Sequence, residues 1–460
     1  MATVLSDDGK HVVVIAFPFG SHPLALLNQA IRLARAAPNI AFSFINTEKS
    51  NQSLFSKQPN IPQNIKPYTV SDGVPDQDHV PGTLPLPGPV LVDLFLQASL
   101  ENLEQAIDLA VKSTNQRVAC ILSDTFVSSP SLSLSHKLNV PYIAAWPSLS
   151  ISVSPHFYTH LIRQKITNSH EPNKNTYLDF LPGLSHLRVE DLPPDVLLKT
   201  GEEHKETVFS KILASSGQVL PQARALVLCS YEELDPPLFV QDLKSKLKSL
   251  LYIGPPLSRP DSADPNGCLP WLDKQGSRSV VYISFGTVVA PPQQELVEVS
   301  EALEASGFPF LWSLKDDQKR LLPNGFVEGT SMIGKIVPWA PQTQVLAHGS
   351  VGVFVTHCGS NSVMEGLANG VPMICRPFFG DHGMAARTVV DLWRIGVKTQ
   401  GGVFTKSGLL QSLNLILVEE QGKEIRENAL KMKKTMQIAG GADGKAAQDF
   451  KTLVEIITSS

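Results

Sequence analysis

Apolar runs rich in β-branched residues alternate along this chain with stretches of helical spacing. Residues 12–17 are the first such run and read as a buried strand. A turn follows at Pro18-Phe19-Gly20-Ser21-His22, then a helix with Leu27, Ile31 and Ala34 on one face. Residues 40–45, 118–122 and 140–146 read as further strands, and 91–112 as a helix. The pattern breaks over 251–268, where Pro, Gly, Ser and Asp gather as in a linker. It then restarts, with strands at 279–285, 309–314, 335–337, 352–356 and 372–375 and a helix near 293–304. An amphipathic stretch at 446–457 reads as a packed closing helix. Such alternation predicts an α/β fold of two Rossmann-like, doubly wound domains facing across a cleft. The expected division is 1–250, a linker 251–267, a second domain 268–440 and a closing helix within 441–460. A proline-rich stretch at 76–89 and a polar one at 168–175 read as loops. The first is long enough to imply function or mobility.

Most of the chemistry is in residues 339–382. The strand ending at Thr356 runs into His357-Cys358-Gly359-Ser360-Asn361, and from Ser362 the spacing is helical, with Val363, Met364, Leu367 and Ala368 apolar. A strand that ends in a glycine-containing turn opening a helix presents free N–H groups and a positive dipole end, which suit a phosphate. His357, Asn361 and Ser362 can add donors to the same anion. Glu365 shares a helix face with Asn361 one turn on, where its carboxylate can accept bonds from ribose hydroxyls. Trp339 offers a flat face to a base, and Asp381 and His382 bring polar groups suited to sugar hydroxyls. Each residue singly fits an ordinary βα unit. Jointly, at this spacing, they provide for base, ribose, diphosphate and sugar.

In open α/β sheets ligands bind beyond the carboxyl ends of the strands. Those ends hold His22, Asp124, Thr287, Ser313 and His357. An imidazole with an ordinary pKa of about 6.5 is largely a free base at neutral pH, so His22 can take a proton from a phenol or enol. Asp124 can hold the ring N–H and stabilise the imidazolium, as the acid of a Ser-His-Asp triad does. The plainer alternatives are a helix-start residue for His22 and a helix N-cap for Asp124.

Composition narrows the classes. Lys and Arg number 39 against 43 Asp and Glu, a net charge of −4 without long basic runs, so no nucleic-acid partner is expected. Five scattered cysteines suit a reducing compartment and no disulfide framework. No apolar run reaches the roughly 18 residues of a membrane span. The first residues lack the basic flank and cleavage site of a signal peptide. A soluble, cytoplasmic protein is expected.

With these residues placed, the whole chain resembles the plant family 1 UDP-sugar glycosyltransferases. The run 339–382 looks like that family's C-terminal signature. The motifs AFPFGSH, SFINTEKSN, SDGVP, SVVYISFGTVV, CRPFFGDH and GVFTKSG look like its flavonoid 3-O-glycosyltransferase branch. The resemblance implies a GT-B fold, with acceptor bound mainly by the first domain and UDP-sugar by the second. It implies His22 as catalytic base with Asp124 as its partner, and Trp339, Ala340 and Gln342 at the nucleoside. It also implies Glu365 on ribose, Thr287, Ser313, His357, Ser360, Asn361 and Ser362 around the diphosphate, and Asp381 and His382 at the sugar. Phe19, Ser21, Phe126, His156 and Phe379 would touch the acceptor. The sequence departs from the family pattern at Ser360, where Trp is usual, and at His382, where Gln is commoner. It departs also at Pro23, directly after His22, and at Pro147, where the branch often has Thr.

The implied reaction is a single inverting displacement. It moves galactose or glucose from a UDP-hexose to a hydroxyl, the 3-hydroxyl by preference, of a flavonol or anthocyanidin, giving a β-O-glycoside. No metal cofactor is expected: preplaced donors meet the charge on UDP, and the second half has no Asp-x-Asp pair suited to bridging a metal to diphosphate. Asp261 and Asp264 fall in the linker. A monomer without stable membrane insertion is expected. Another UDP-sugar or phenolic acceptor, a non-catalytic UDP-sugar or flavonoid-binding protein, and a UDP-sugar epimerase are the rival readings. A dinucleotide-dependent dehydrogenase fits worst, because residues 17–22 have no G-x-G-x-x-G.

Overall fold

The structure is a computed structural model that describes residues 6–56, 58, 60–75, 88–167, 175–197, 208–255, 263–288 and 290–459. It divides into two units. The first comprises Met1–Pro172, Pro194–Ile253 and Ala442–Ser460, and the second Asn173–Pro193 and Gly254–Gly441.

The first unit is built on seven strands: β1 (Ser6–Ile15), β2 (Ala41–Thr47), β3 (Ile65–Val70), β4 (Gln116–Asp124), β5 (Tyr142–Trp146), β6 (Ala225–Leu228) and β7 (Leu250–Tyr252). They lie in the order β3-β2-β1-β4-β5-β6-β7, every pair parallel. Val12 to Ile15 in β1 are wholly buried. A parallel strand covered on both faces reads as a continuous apolar run and not as an alternation, which is why β1 stands out in the sequence. The helix His22–Ala36 packs Leu26, Leu27, Ala30 and Ala34 into a core with Val12, Val14, Phe42 and Leu122. Leu453 and Ile457 of the last helix, Lys445–Ser459, complete the same core. Asp449 on that helix accepts the Tyr252 backbone N–H at 2.9 Å.

The second unit has six strands: β8 (Val280–Ser284), β9 (Phe310–Ser313), β10 (Gly334–Val337), β11 (Val351–Thr356), β12 (Met373–Cys375) and β13 (Gly396–Lys398). Their order is β10-β9-β8-β11-β12-β13, again all parallel. Counted within each unit, both sheets begin 3-2-1-4-5-6, the order of the doubly wound dinucleotide folds. The order reverses between β1 and β4 in one sheet and between β8 and β11 in the other. Binding crevices are expected at those two places.

Four strands were not foreseen: β3, β6, β7 and β13. Leu251 and Tyr252, assigned by composition to a linker, belong to β7. The expected loops at 76–89 and 168–175 fall mainly on residues outside the described ones, and Gly88 already opens the helix Gly88–Thr114. Among the described residues, no helix is long and apolar enough to cross a membrane.

Candidate active site

The sequence of the first unit brings two groups to its switch point. β1 ends at Ile15, and after a short turn His22 is the first residue of its helix. Asp124 is the last residue of β4 and only 1% exposed. His22 Nδ1 lies 2.8 Å from Asp124 Oδ2. A carboxylate can only accept, so Nδ1 carries a proton, and in the neutral ring that leaves Nε2 its lone pair. The other oxygen, Oδ1, accepts the Phe126 backbone N–H at 2.9 Å, capping the short turn Thr125–Val127. The N-cap and the histidine partner are thus one residue using two oxygens.

Rings surround this pair. Phe126 lies 4.6 Å and Phe17 5.2 Å from the His22 ring, centroid to centroid. Phe17 contacts Phe19 and Phe95, Phe126 contacts Phe209 and Trp146, and Trp146 contacts His156. Ser21 is exposed on the turn before His22. Aromatic pairs of this kind prefer edge and offset packing, so the cluster offers apolar faces to a flat molecule beside a basic nitrogen. A pocket of about 180 Å³ lined by Ser43, Asn64, Lys66 and Gln116 opens at the amino ends of the strands and has no part in this arrangement.

In the second unit, strand register aligns the ends. Val337, Ser313, Ser284, Thr356, Cys375 and Lys398 are paired neighbours across the sheet. Trp339, Thr287, His357 and Asp381 each follow one of these ends within a few residues. The turn after β11 contains Cys358 at φ 67°, a left-handed conformation uncommon for a residue with a side chain. Gly359 then caps the helix Ser360–Asn369, whose first turn carries Ser360, Asn361 and Ser362. A Cβ on Gly359 would stand 2.4 Å from His357 Nε2, so only glycine lets the imidazole lie there. Burial lowers the His357 pKa to about 3, His382 adding to the shift and the Ser284 backbone opposing it. Burial also lowers that of His382, with Asp381 acting the other way. The two rings meet nearly at right angles, 5.0 Å apart. Both Nδ1 atoms are buried with no hydrogen-bond partner among the described residues, an uncommon state for buried polar atoms.

Gln342 is the hub of a second cluster. Its Nε2 donates to Glu365 Oε2 at 2.7 Å and to Ser362 Oγ at 3.0 Å. Its Oε1 accepts from the Tyr282 hydroxyl at 3.1 Å. Glu365 and Ser362 are buried, as is Ala340, whereas Trp339 is 45% exposed. The Trp339 carbonyl accepts from Asn266 Nδ2 at 2.7 Å. Thr287 is exposed and its carbonyl accepts from Lys315 Nζ at 2.9 Å, while Ser313 is half-buried at the end of β9. Phe379 is exposed and lies 4.5 Å from the His382 ring. It belongs to the second unit, unlike the other four expected acceptor residues. Asp264 caps a helix start, accepting from the Cys268 and Leu269 N–H groups.

Comparison with known proteins decides the family. Residues 207–436 match the UDP-glucoronosyl and UDP-glucosyl transferase family. Over 97% of its length the chain is 45% identical to an anthocyanidin 3-O-galactosyltransferase of Rhododendron delavayi, of which 97% is covered. The chain belongs to this family of UDP-glycosyltransferases. A flavonol 3-O-glucosyltransferase of Actinidia chinensis var. chinensis is 44% identical, with 98% of each chain covered. The crystal structure of a UDP-glucose: anthocyanidin 3-O-glucosyltransferase in complex with UDP is 55% identical. It superposes with a TM-score of 0.92, covering 99% of this chain and all of that one. The glycosyltransferase therefore has the GT-B fold.

Several neighbours in this glycosyltransferase escaped the sequence reading. Tyr282 sits inside a strand, where nothing in the pattern distinguishes it from core. Phe17, Phe95, Trp146 and Phe209 come from two strand ends and two helices far apart in sequence. Only the gathering of aromatics near strand ends could have pointed to Phe17 and Trp146.

Proposed function

We propose that the enzyme moves a hexose, galactose or glucose, from a UDP-sugar to the 3-hydroxyl of a flavonol or anthocyanidin, forming a β-O-glycoside. The observation that carries this reading is the His22–Asp124 pair, 2.8 Å apart at the β1/β4 switch point and walled by aromatic rings. The acceptor hydroxyl gives its proton to His22 Nε2, and Asp124 stabilises the resulting imidazolium. The freed oxygen attacks the anomeric carbon as the bond to the UDP oxygen breaks, and the α-linked donor becomes a β-glycoside. Phe19, Ser21, Phe126, His156 and Phe379 are the proposed acceptor contacts.

Donor roles follow the clusters of the second unit. Trp339 stacks on the base, and Glu365, held by Gln342, accepts from ribose. The diphosphate takes the start of the helix Ser360–Asn369, with His357, Asn361, Thr287 and Ser313 about it. Ser362 acts chiefly through Gln342. Asp381 and His382 read the sugar. In this reading no metal takes part, the departing charge being met by these donors. Cytoplasmic work as a monomer completes the proposal, the compartment being motivated by five cysteines none of which is in a disulfide.

The test is direct. The protein is incubated with UDP-galactose or UDP-glucose and a flavonol, and mass spectrometry follows the hexose adduct and free UDP. The expected result is one hexose per flavonol at the 3-position. Binding of both ligands without an adduct would make this a binding protein and contradict the reading.

A further inference from the structure

We propose that Asp191 is a positioning residue for the sugar end of the donor site, acting on the short helix that begins at His382. The proposal rests on the reading that Asp381 and His382 face the sugar. Asp191 lies in Asn173–Pro193, a segment from the first half of the chain that belongs to the second unit. Its side chain is completely buried. Oδ2 accepts from Arg387 Nε at 2.8 Å and from the Arg188 backbone N–H at 3.0 Å. Oδ1 accepts from Arg387 Nη2 and Lys398 Nζ, each at 3.3 Å. Arg387 also donates to Glu190 at 2.8 Å and Asp391 at 3.2 Å. Three carboxylates thus converge on one guanidinium whose planar fork suits such pairing.

Arg387 closes the α-helical turns His382–Arg387, and the chain runs straight on into the π-helical stretch Thr388–Leu392. The start of the same stretch is held by the same residue. A Cβ on Gly383 would stand 2.7 Å from the Asp191 carbonyl oxygen, so the Asp191 backbone lies directly against the first turn. One residue therefore grips the α-helical turns at two points, by its carboxylate at Arg387 and by its backbone at Gly383. Even with that extension, His382 to Leu392 is shorter than the roughly 12–15 residues an isolated helix needs to hold itself. Its placement, and with it the reach of Asp381 and His382, is set by what it packs against. A misplacement of about 1 Å is enough to cost rate in a positioned site.

The test separates sugar from nucleotide. Asp191→Asn removes the charge at constant size, and Gly383→Ala pushes the helix off Asp191 without touching any charge. For each variant, the Kd for UDP is measured by calorimetry, and KM and kcat/KM for UDP-galactose and UDP-glucose by product formation. The expected result in both variants is a UDP Kd within about twofold of wild type. With it should come a KM for UDP-hexose raised roughly fivefold or more and a galactose-to-glucose ratio shifted at least about threefold. Parallel loss of UDP and UDP-hexose affinity would make the clamp a general support of the unit and overturn the proposal. If Asp191→Asn does not fold, Gly383→Ala alone decides. His382→Gln separates the two levels of the argument. Should it shift the sugar ratio while Asp191→Asn and Gly383→Ala do not, the clamp is refuted and the reading of His382 stands. Should all three leave the ratio untouched, residues 381 and 382 do not face the sugar, and both fall.

Discussion

Glu365 illustrates how far single residues could be read. Its place four residues after Asn361 put it on the inner helix face, and the structure buries it against Gln342 at 2.7 Å. The sequence did not show that Tyr282 fixes the amide of Gln342, because the tyrosine is 60 residues from its partner and looks like core. Glu365→Ala should weaken UDP and UDP-sugar alike, since ribose is common to both. Losing a hydrogen-bonded charged group costs about 1.5–3 kcal/mol, roughly tenfold to over a hundredfold. Calorimetry with UDP alone checks this, and an unchanged affinity would remove Glu365 from the site. Burial adds a pH effect at His11, which is fully buried on β1 and whose pKa falls to about 4 by desolvation. Below about pH 6.5 the unfolded chain takes up a proton that the folded one refuses, so stability falls as pH drops toward 4, by about 1.4 kcal/mol per unit. Asp235, raised to about 7 by burial against the bonds from Ser150 and Tyr252, acts in the opposite sense over the same range. The readout is therefore a difference between variants. His11→Gln should lose less Tm than wild type between pH 7 and pH 5, and equal losses would contradict the assignment.

At the scale of elements, long apolar strands were legible, while of the short ones β9, β10 and β12 were foreseen and β6, β7 and β13 were not. β1, β8 and β11 are buried on both faces and announce themselves. β3 escaped because Pro67 argues against a strand, yet β3 is an edge strand, where a missing N–H is tolerated. β7 and β13 have three residues each, and β7 adjoins proline-rich sequence that masks it. The last helix was foreseen as a packed element, but its partner was not. Leu453 is fully buried in the core of the first unit. Leu453→Ala should cost about 2–5 kcal/mol of stability, read from the urea midpoint, while UDP affinity in native buffer stays within about twofold. A loss below about 1 kcal/mol would mean that the helix only covers the surface.

For the whole molecule, βα alternation was enough to foresee two doubly wound sheets. Register and strand order then show why the chemistry gathers where it does. His22 and Asp124 flank one switch point, and Thr287 and His357 flank the other. The return of Asn173–Pro193 to the second unit was hidden, because a turn such as Arg188–Asp191 carries no pattern that names its distant partner Arg387. The aromatic wall about His22 was hidden for the same reason, its members being brought together only by packing. The central claim is that His22 is the base of a hexose transfer for which the second unit binds the donor. Its most direct test is the rate of flavonol glycoside formation by His22→Ala at saturating UDP-hexose, with UDP affinity measured on the same sample. The account predicts a loss on the order of a hundredfold or more with UDP affinity unchanged. Near-native turnover by His22→Ala would contradict it.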